Sequence, residues 1–187
     1  HIEILDYSEN ATYVIQKEKQ KYILRVNRPN YHSKEEIEAE INWLLTLHEE
    51  STIEVPLPIK ADNHTFVNTV EVNNITYHSS LFTFIDGKAP DEYKKEDLVA
   101  QFETIGKISA TFHKYMIENY DKYRNYKRMT WDYETILGEN PKWGKWQDGL
   151  GFTPERIALF TRASKTIKRK LEQFGKDKTR YGLIHSD

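Results

Sequence analysis

The chain has no cysteine, which excludes disulfides, thiolate metal sites and cysteine nucleophiles. It has no run of about 18 apolar residues, the shortest length that reads as a membrane-crossing helix. It also lacks an excess of either charge. The 27 Lys and Arg stand against 29 Asp and Glu, a net charge of −2, so no nucleic-acid or membrane partner is expected. No two histidines stand two to four residues apart, so none suggests a zinc pair. No Gly-x-Ser-x-Gly elbow or Walker-type lysine motif occurs. The first residues, HIEILDYSEN, do not follow the basic-then-apolar layout of a secretory signal, and a cytoplasmic location is expected.

What is present is a soluble globular composition, 38% hydrophobic, 30% charged and 13% aromatic. At 187 residues the chain has room for one large domain or two small lobes without a staple. Ala11 to Gln16 and Lys21 to Val26 read as strands separated by the charged turn KEKQ. In the second of these, Ile23 and Arg25 share one face and Tyr22, Leu24 and Val26 the other. Ser33 with Glu36 matches a capping box, and Ile37, Ile41, Leu44 and Leu45 follow helical spacing after it. From Val55 the pattern returns to strands. The pair Asn73-Asn74 marks a hairpin, and a buried strand is expected over Leu81 to Ile85, closed by Asp86-Gly87.

Beyond Gly87 the pattern is mainly helical. Leu98, Phe102, Ile105, Ile108, Phe112 and Tyr115 form an apolar stripe, and Thr153-Pro154 opens a second long helix carrying Ile157, Phe160, Ile167 and Leu171. Tyr181 to Ile184 reads again as strand-like.

Four features could carry chemistry. The polar turn in DYSENATYV offers Ser8, Asn10 and backbone N–H groups to phosphate oxygens, or is a plain hairpin loop. Arg25 is a lone cation in an apolar strand; it either faces solvent or needs a partner, because burying it unpaired costs several kcal/mol. Glu40, on the following helix among Ile37, Ile41 and Trp43, is either that partner or one solvated glutamate among many. The fourth feature is His185-Ser186-Asp187 after an apolar run, where an Asp past a strand end could accept a hydroxyl proton, or a chance match of three residues. Trp131, Trp143 and Trp146 offer either an acceptor-site wall or the packing of a helical insert. The basic run KTIKRKLEQFGKDKTR is either a solvated helix face or a site for an anionic partner.

In this order the features resemble the aminoglycoside phosphotransferase (choline kinase) family of the protein-kinase-like superfamily. The stretches that carry the resemblance are SENATYVI, YILRVNRPNYHSKEEIEAEINWL, VPLPI, LFTFIDG, IGKISATFHKY, MTWDYETILGENPKWGKW and YGLIHSD. The resemblance implies an α+β, bilobal protein-kinase-like fold, with a β-rich nucleotide-binding lobe over residues 1–84. Residues 85–187 would then be the hinge and part of an α-helical C-terminal lobe ending at the catalytic loop. It implies ATP and Mg2+ as cofactors and a small-molecule hydroxyl acceptor such as an aminoglycoside, homoserine or choline-like alcohol. Carried over, Ser8, Asn10 and Thr12 belong to the loop over the phosphates. Arg25 takes the place of the phosphate-contacting lysine, with Glu40 as its partner. Phe82, Phe84 and Ile85 lie in the segment that offers backbone hydrogen bonds to adenine. Asp187 is the catalytic base and His185 supports its loop.

The sequence departs from the family pattern in two ways. Arg25 replaces Lys, and its planar five-donor fork is not interchangeable with an ammonium. The chain stops at Asp187, so the metal ligands, an Asn about five residues on and a later acidic residue, are expected beyond it. The stretch given is therefore expected to be inactive by itself. Two alternatives remain: a Ser/Thr protein kinase of the same fold, or a non-catalytic nucleotide-binding or interaction module. In the first, Ser186 stands where many such kinases have an Arg that reads activation-loop phosphate.

Overall fold

A computed structural model describes residues 1–87 and 94–184 of the chain. The alternating first part forms a six-stranded sheet of β1 (Ile2–Tyr7), β2 (Asn10–Lys17), β3 (Gln20–Asn27), β4 (Pro58–Ile59), β5 (Asn68–Val72) and β6 (Ile75–Thr83). The order is β1-β2-β3-β6-β4, with β5 also paired to β6, and every pairing is antiparallel. The helices are α1 (Lys34–Glu50), α2 (Lys95–Glu118), α3 (Tyr120–Tyr123), α4 (Tyr133–Leu137) and α5 (Pro154–Phe174), with a 3-10 turn at Trp146–Asp148. The architecture is α+β, as the sequence predicts.

The local signals act where they were read. The strands expected at 11–16 and 21–26 lie inside β2 and β3, and Glu18 in their turn takes a left-handed φ of 57°. Asn73 and Asn74, at φ 52° and 62°, join β5 to β6; asparagine tolerates that region better than most residues. The Ser33 side chain accepts from the Glu36 N–H at 3.2 Å, and the Glu36 carboxylate accepts from the Ser33 N–H at 2.9 Å. Both halves of the capping box are formed, which satisfies donors that the first turn of α1 leaves open.

Three expectations need correction. β1 is implied only as a strand-like segment before the turn at DYSENATYV and is given no bounds: its residues are all exposed, and an irregular register between Ile4 and Asp6 breaks the alternation that would reveal a strand. The strand expected over Leu81 to Ile85 instead runs from Ile75 and ends at Thr83. Tyr181 to Ile184 forms no strand, and no strand among the described residues pairs with it.

The chain divides into two compact units. One holds the described residues of His1–Tyr115 together with Asn125–Arg128. Its core is Ile37 and Ile41 of α1, Val67, and Phe82 of β6, flanked by Ile23, Leu44, Leu45 and Phe66. Ile37 and Ile41 are fully buried, and each such side chain contributes about 1.5–3 kcal/mol. Trp43 of α1 meets Phe112 of α2 at 5.8 Å, and the Tyr115 hydroxyl donates to Glu50 at 2.7 Å.

The other unit holds Met116–Arg124 and Met129–Ile184. Thr153 caps α5 with Pro154 in its first turn, and Gly175 ends it at a φ of 77° that suits glycine. Asp132 and Thr135 form a second capping box on α4. Trp131 meets Trp143 at 5.0 Å, while Trp146 packs against Phe152 and Phe160, each at 5.8 Å. The tryptophans therefore do packing work within this unit. The apolar residues of α5, Ile157, Phe160, Ile167 and Leu171, stay substantially exposed, as do Phe102, Ile105 and Ile108 on α2. No helix among the described residues is long and apolar enough to cross a membrane.

Candidate functional site

The register of the sheet assembles the site. Arg25 stands opposite Thr12 of β2 and opposite Ser80 of β6, so these three residues form one row across the sheet. Directly opposed residues share a face, and Ile23 and Phe82 lie on the same face two residues along their strands. That face is the one α1 covers, because Phe82 sits in the core with Ile37 and Ile41. Arg25 therefore points toward the helix. Glu40, one residue before Ile41, meets it there.

The contact is a close ion pair: Nη1 of Arg25 lies 2.7 Å from Oε1 of Glu40, with both side chains about four-fifths buried. The guanidinium also lies 5.1 Å from the centre of the Phe82 ring, so the core aromatic supports the cation it packs beside. Of the two readings of Arg25, the partnered one holds.

A residue absent from the sequence reading completes the cluster. Arg128 places Nη1 3.2 Å from Oε2 of Glu40 and donates from that nitrogen to the Glu36 carbonyl at 3.0 Å. Glu40 thus holds a different arginine on each oxygen. In the sequence, Arg128 lies in NYKRMTW, outside any periodic element, so nothing assigned it a face or a partner.

Arg25 spends only one nitrogen on Glu40. Its Nε and Nη2 are buried and have no hydrogen-bond partner among the described residues, and the same is true of the Ser80 hydroxyl opposite it. Nε–H and Nη2–H form one edge of the guanidinium, the geometry that grips two oxygens of a carboxylate or phosphate at once. Leaving such donors unsatisfied costs about 1–3 kcal/mol each.

The other predicted positions are placed as follows. Ser8 lies in the two-residue connection between β1 and β2, where its hydroxyl donates to Asp6 at 2.9 Å. Asn10 opens β2, and its side-chain oxygen accepts from the Arg28 N–H at 3.4 Å. Glu9, between them, is paired with the Arg28 guanidinium at 3.6 Å. Phe82 is a core residue inside the sheet, flanked by Ile23 of β3 and Pro58 of β4. The Thr83 N–H donates to the Leu57 carbonyl at 2.9 Å, so the peptide groups past the sheet begin at Phe84 and Ile85. His185 and Asp187 lie outside the described residues. Among the described residues, no group of three His, Asp or Glu could hold a metal ion.

Electrostatic shifts occur in both units. Glu35, in the first turn of α1, has its carboxyl held below the usual range by backbone N–H groups and by Ser33. In the helical unit, a hydrogen bond from Lys176 at 2.7 Å lowers Asp132, and the same contact raises Lys176. Lys168 is raised by its bond to Glu134 at 3.3 Å. Lys168 of α5 and Lys176 just past it are thus spent on carboxylates of α4 and its cap.

The phosphotransferase enzyme family matches residues 2–187. Amicoumacin kinase of Bacillus subtilis (strain 168) is 26% identical over 190 residues, covering all of this chain and 52% of that protein. Among solved structures, a microcompartment-associated aminopropanol kinase matches with a TM-score of 0.82 and 36% identity, over the whole chain and 57% of its own. The amicoumacin kinase hAmiN, solved with AMP-PNP, Ca2+ and Ami, matches with a TM-score of 0.73 at 22% identity, over the whole chain and 52% of its own. This second likeness shows the fold. The chain spans about half the length of the relatives it matches.

Proposed function

Because the chain belongs to the phosphotransferase enzyme family, we propose that the protein transfers the γ-phosphoryl group of ATP to a hydroxyl of a small-molecule acceptor. The observation that carries this is the Arg25 guanidinium, locked to Glu40 through Nη1 while its Nε and Nη2 edge is buried and without a partner. Such an edge suits a phosphate, whose oxygens can take both N–H groups at once. The likeness to an aminopropanol kinase at 36% identity puts small amino alcohols first among acceptors, ahead of choline, homoserine and aminoglycosides.

In this reading, residues 1–84 hold the nucleotide and 85–187 lead to the catalytic loop. Thr12 and the loop at Ser8 and Asn10 flank the phosphates, and the peptide groups from Phe84 to Ile85 read the adenine edge. Arg25 holds the phosphates in line for transfer. Asp187 orients the acceptor hydroxyl and takes its proton as the new oxygen–phosphorus bond forms and the bridge to the β-phosphate breaks, releasing ADP. His185 braces that loop. Transfer of this kind relies on positioning and charge stabilisation more than on covalent chemistry. A magnesium ion, when bound with the nucleotide, would supply part of that charge stabilisation.

The test uses the full-length protein and follows acceptor-dependent ADP release across aminopropanol, choline, homoserine and an aminoglycoside. One of these alcohols should raise ADP release, and Asp187→Asn should lower kcat by about 10²–10⁴-fold. Full activity in the Asp187→Asn protein would remove the base assignment. ADP release indifferent to every alcohol would remove the reaction.

A further inference from the structure

We infer that Arg128 is a positioning residue for the phosphate-binding edge of Arg25, and that it acts through Glu40. This rests on the phosphotransferase reading and extends it to a residue outside the strand and helix that form the Arg25–Glu40 pair. A carboxylate bonded through one oxygen is free to swing about that contact, and a guanidinium tied to it swings too. Here Oε1 of Glu40 takes Arg25 at 2.7 Å while Oε2 takes Arg128 at 3.2 Å, so the carboxylate is held from both sides. The nitrogen of Arg128 that does this also donates to the Glu36 carbonyl at 3.0 Å, one helical turn earlier, and so ties the group to the backbone of α1.

Charge points the same way. Two guanidiniums share one carboxylate, which leaves a surplus positive charge at a place where all three side chains are about three-quarters or more buried. Screening by salt is weaker there than on an open surface. With Glu40 divided between two cations, Arg25 is less fully neutralised by its partner. Its free edge keeps more attraction for an anion.

The two arginines differ in what a lysine could replace. Arg128 makes both of its contacts through one nitrogen, and an ammonium with three donors can supply two such bonds. Arg25 presents Nε and Nη2 together, and no ammonium reproduces that fork.

The experiment measures ATP KM, acceptor KM, kcat and AMP-PNP affinity in the full-length protein and its variants. R128Q should raise the ATP KM and the AMP-PNP Kd by about three- to tenfold, as expected for one member of a coupled network, and leave the acceptor KM near its original value. R128K should recover most of that loss, whereas R25K should not recover the loss seen in Arg25→Ala. The double variant E40Q/R128Q should bind AMP-PNP no more weakly than E40Q alone. Unchanged nucleotide affinity in R128Q overturns the inference, as does an additive loss in the double variant, which would mean Arg128 acts without Glu40. If R128Q does not fold, R128M takes its place under the same outcomes, and a loss in R128K as deep as that of R25K also overturns the role. The two readings fail differently. A protein that binds no AMP-PNP removes both, while one that binds it, loses it in Arg25→Ala and ignores R128Q removes only the role of Arg128.

Discussion

The two units solve the problem of stability by different means. In the first, a sheet and α1 press apolar side chains into one shared core, and the most buried ion pairs, Arg25–Glu40 and Arg128–Glu40, stand beside it. In the second, few large apolar residues are buried, Met116 and Tyr123 among them, and order comes from caps, aromatic contacts and ion pairs. The contrast lies in burial: the charged group of the first unit rests against the core, and that of the second stands in the open. The Arg25 guanidinium lies on the ring of Phe82, which is itself part of the core. A comparable cation in the helical unit, Lys176, pairs with Asp132 and lies 4.8 Å from the centre of the Tyr181 ring, but its side chain is about half exposed.

The widest separation of the units should come from Phe82→Ala. Emptying this core position costs about 3–5 kcal/mol, and the loss should fall on the first unit. Hydrogen exchange read by mass spectrometry should show faster exchange in peptides of α1 and β6 and little change in α4 and α5. Equal acceleration in both units would mean that they unfold as one, and the contrast would disappear.

Asp132→Ala probes the opposite side. It removes both the α4 cap and the partner of Lys176, and losing a cap costs about 0.5–2 kcal/mol. The pH dependence follows from the direction of each shift. Asp132 is lowered in the folded protein, so its contribution is complete above the ordinary carboxylate value of about 4 and vanishes as pH falls through the lowered one. Lys176 is raised, so its contribution is complete below about pH 10 and is lost as pH rises through the raised value. Acid titration of the helical unit's stability should therefore be shallower in Asp132→Ala than in the original protein. An identical acid limb would show that the carboxylate does not hold this unit.

The smallest effect belongs to Ser33→Ala, which removes one half of the α1 capping box at a cost of about 1 kcal/mol. Thermal melting should register it in the first unit alone. Because α1 carries Glu40, the same variant should also weaken AMP-PNP binding slightly in the full-length protein.

What the sequence made legible was local. Ser33 with Glu36, Asn73-Asn74 and Thr153-Pro154 specify caps and turns within a few residues, and each acts as expected in the fold. The Arg25–Glu40 pair was legible across a longer gap only as one of two readings, which the family resemblance chose between, because a cation in an apolar strand either faces solvent or needs an opposite charge. Arg128 was not readable, since it reaches Glu36 and Glu40 across about 90 positions from a segment with no periodicity. Phe82 shows a subtler gap. The pattern marked a buried strand there, but only the pairing with Ile23 and Pro58 reveals that it lies inside the sheet rather than at its end.

The turn at Glu18-Lys19 looks like the least consequential part of the molecule, a charged two-residue link between β2 and β3. Yet it fixes which residue of β3 stands opposite Thr12. Sheet faces alternate with every residue, so slipping β3 by one position would send Arg25 to the face away from α1 and bring Leu24 or Val26 into its place. The protein would keep its composition, its hydrophobic content and most of its strand, and would lose the cation from the face that α1 covers. In this sense the length of that hairpin is an address, and changing it by one residue in either direction is a more complete way to remove Arg25 than mutating it.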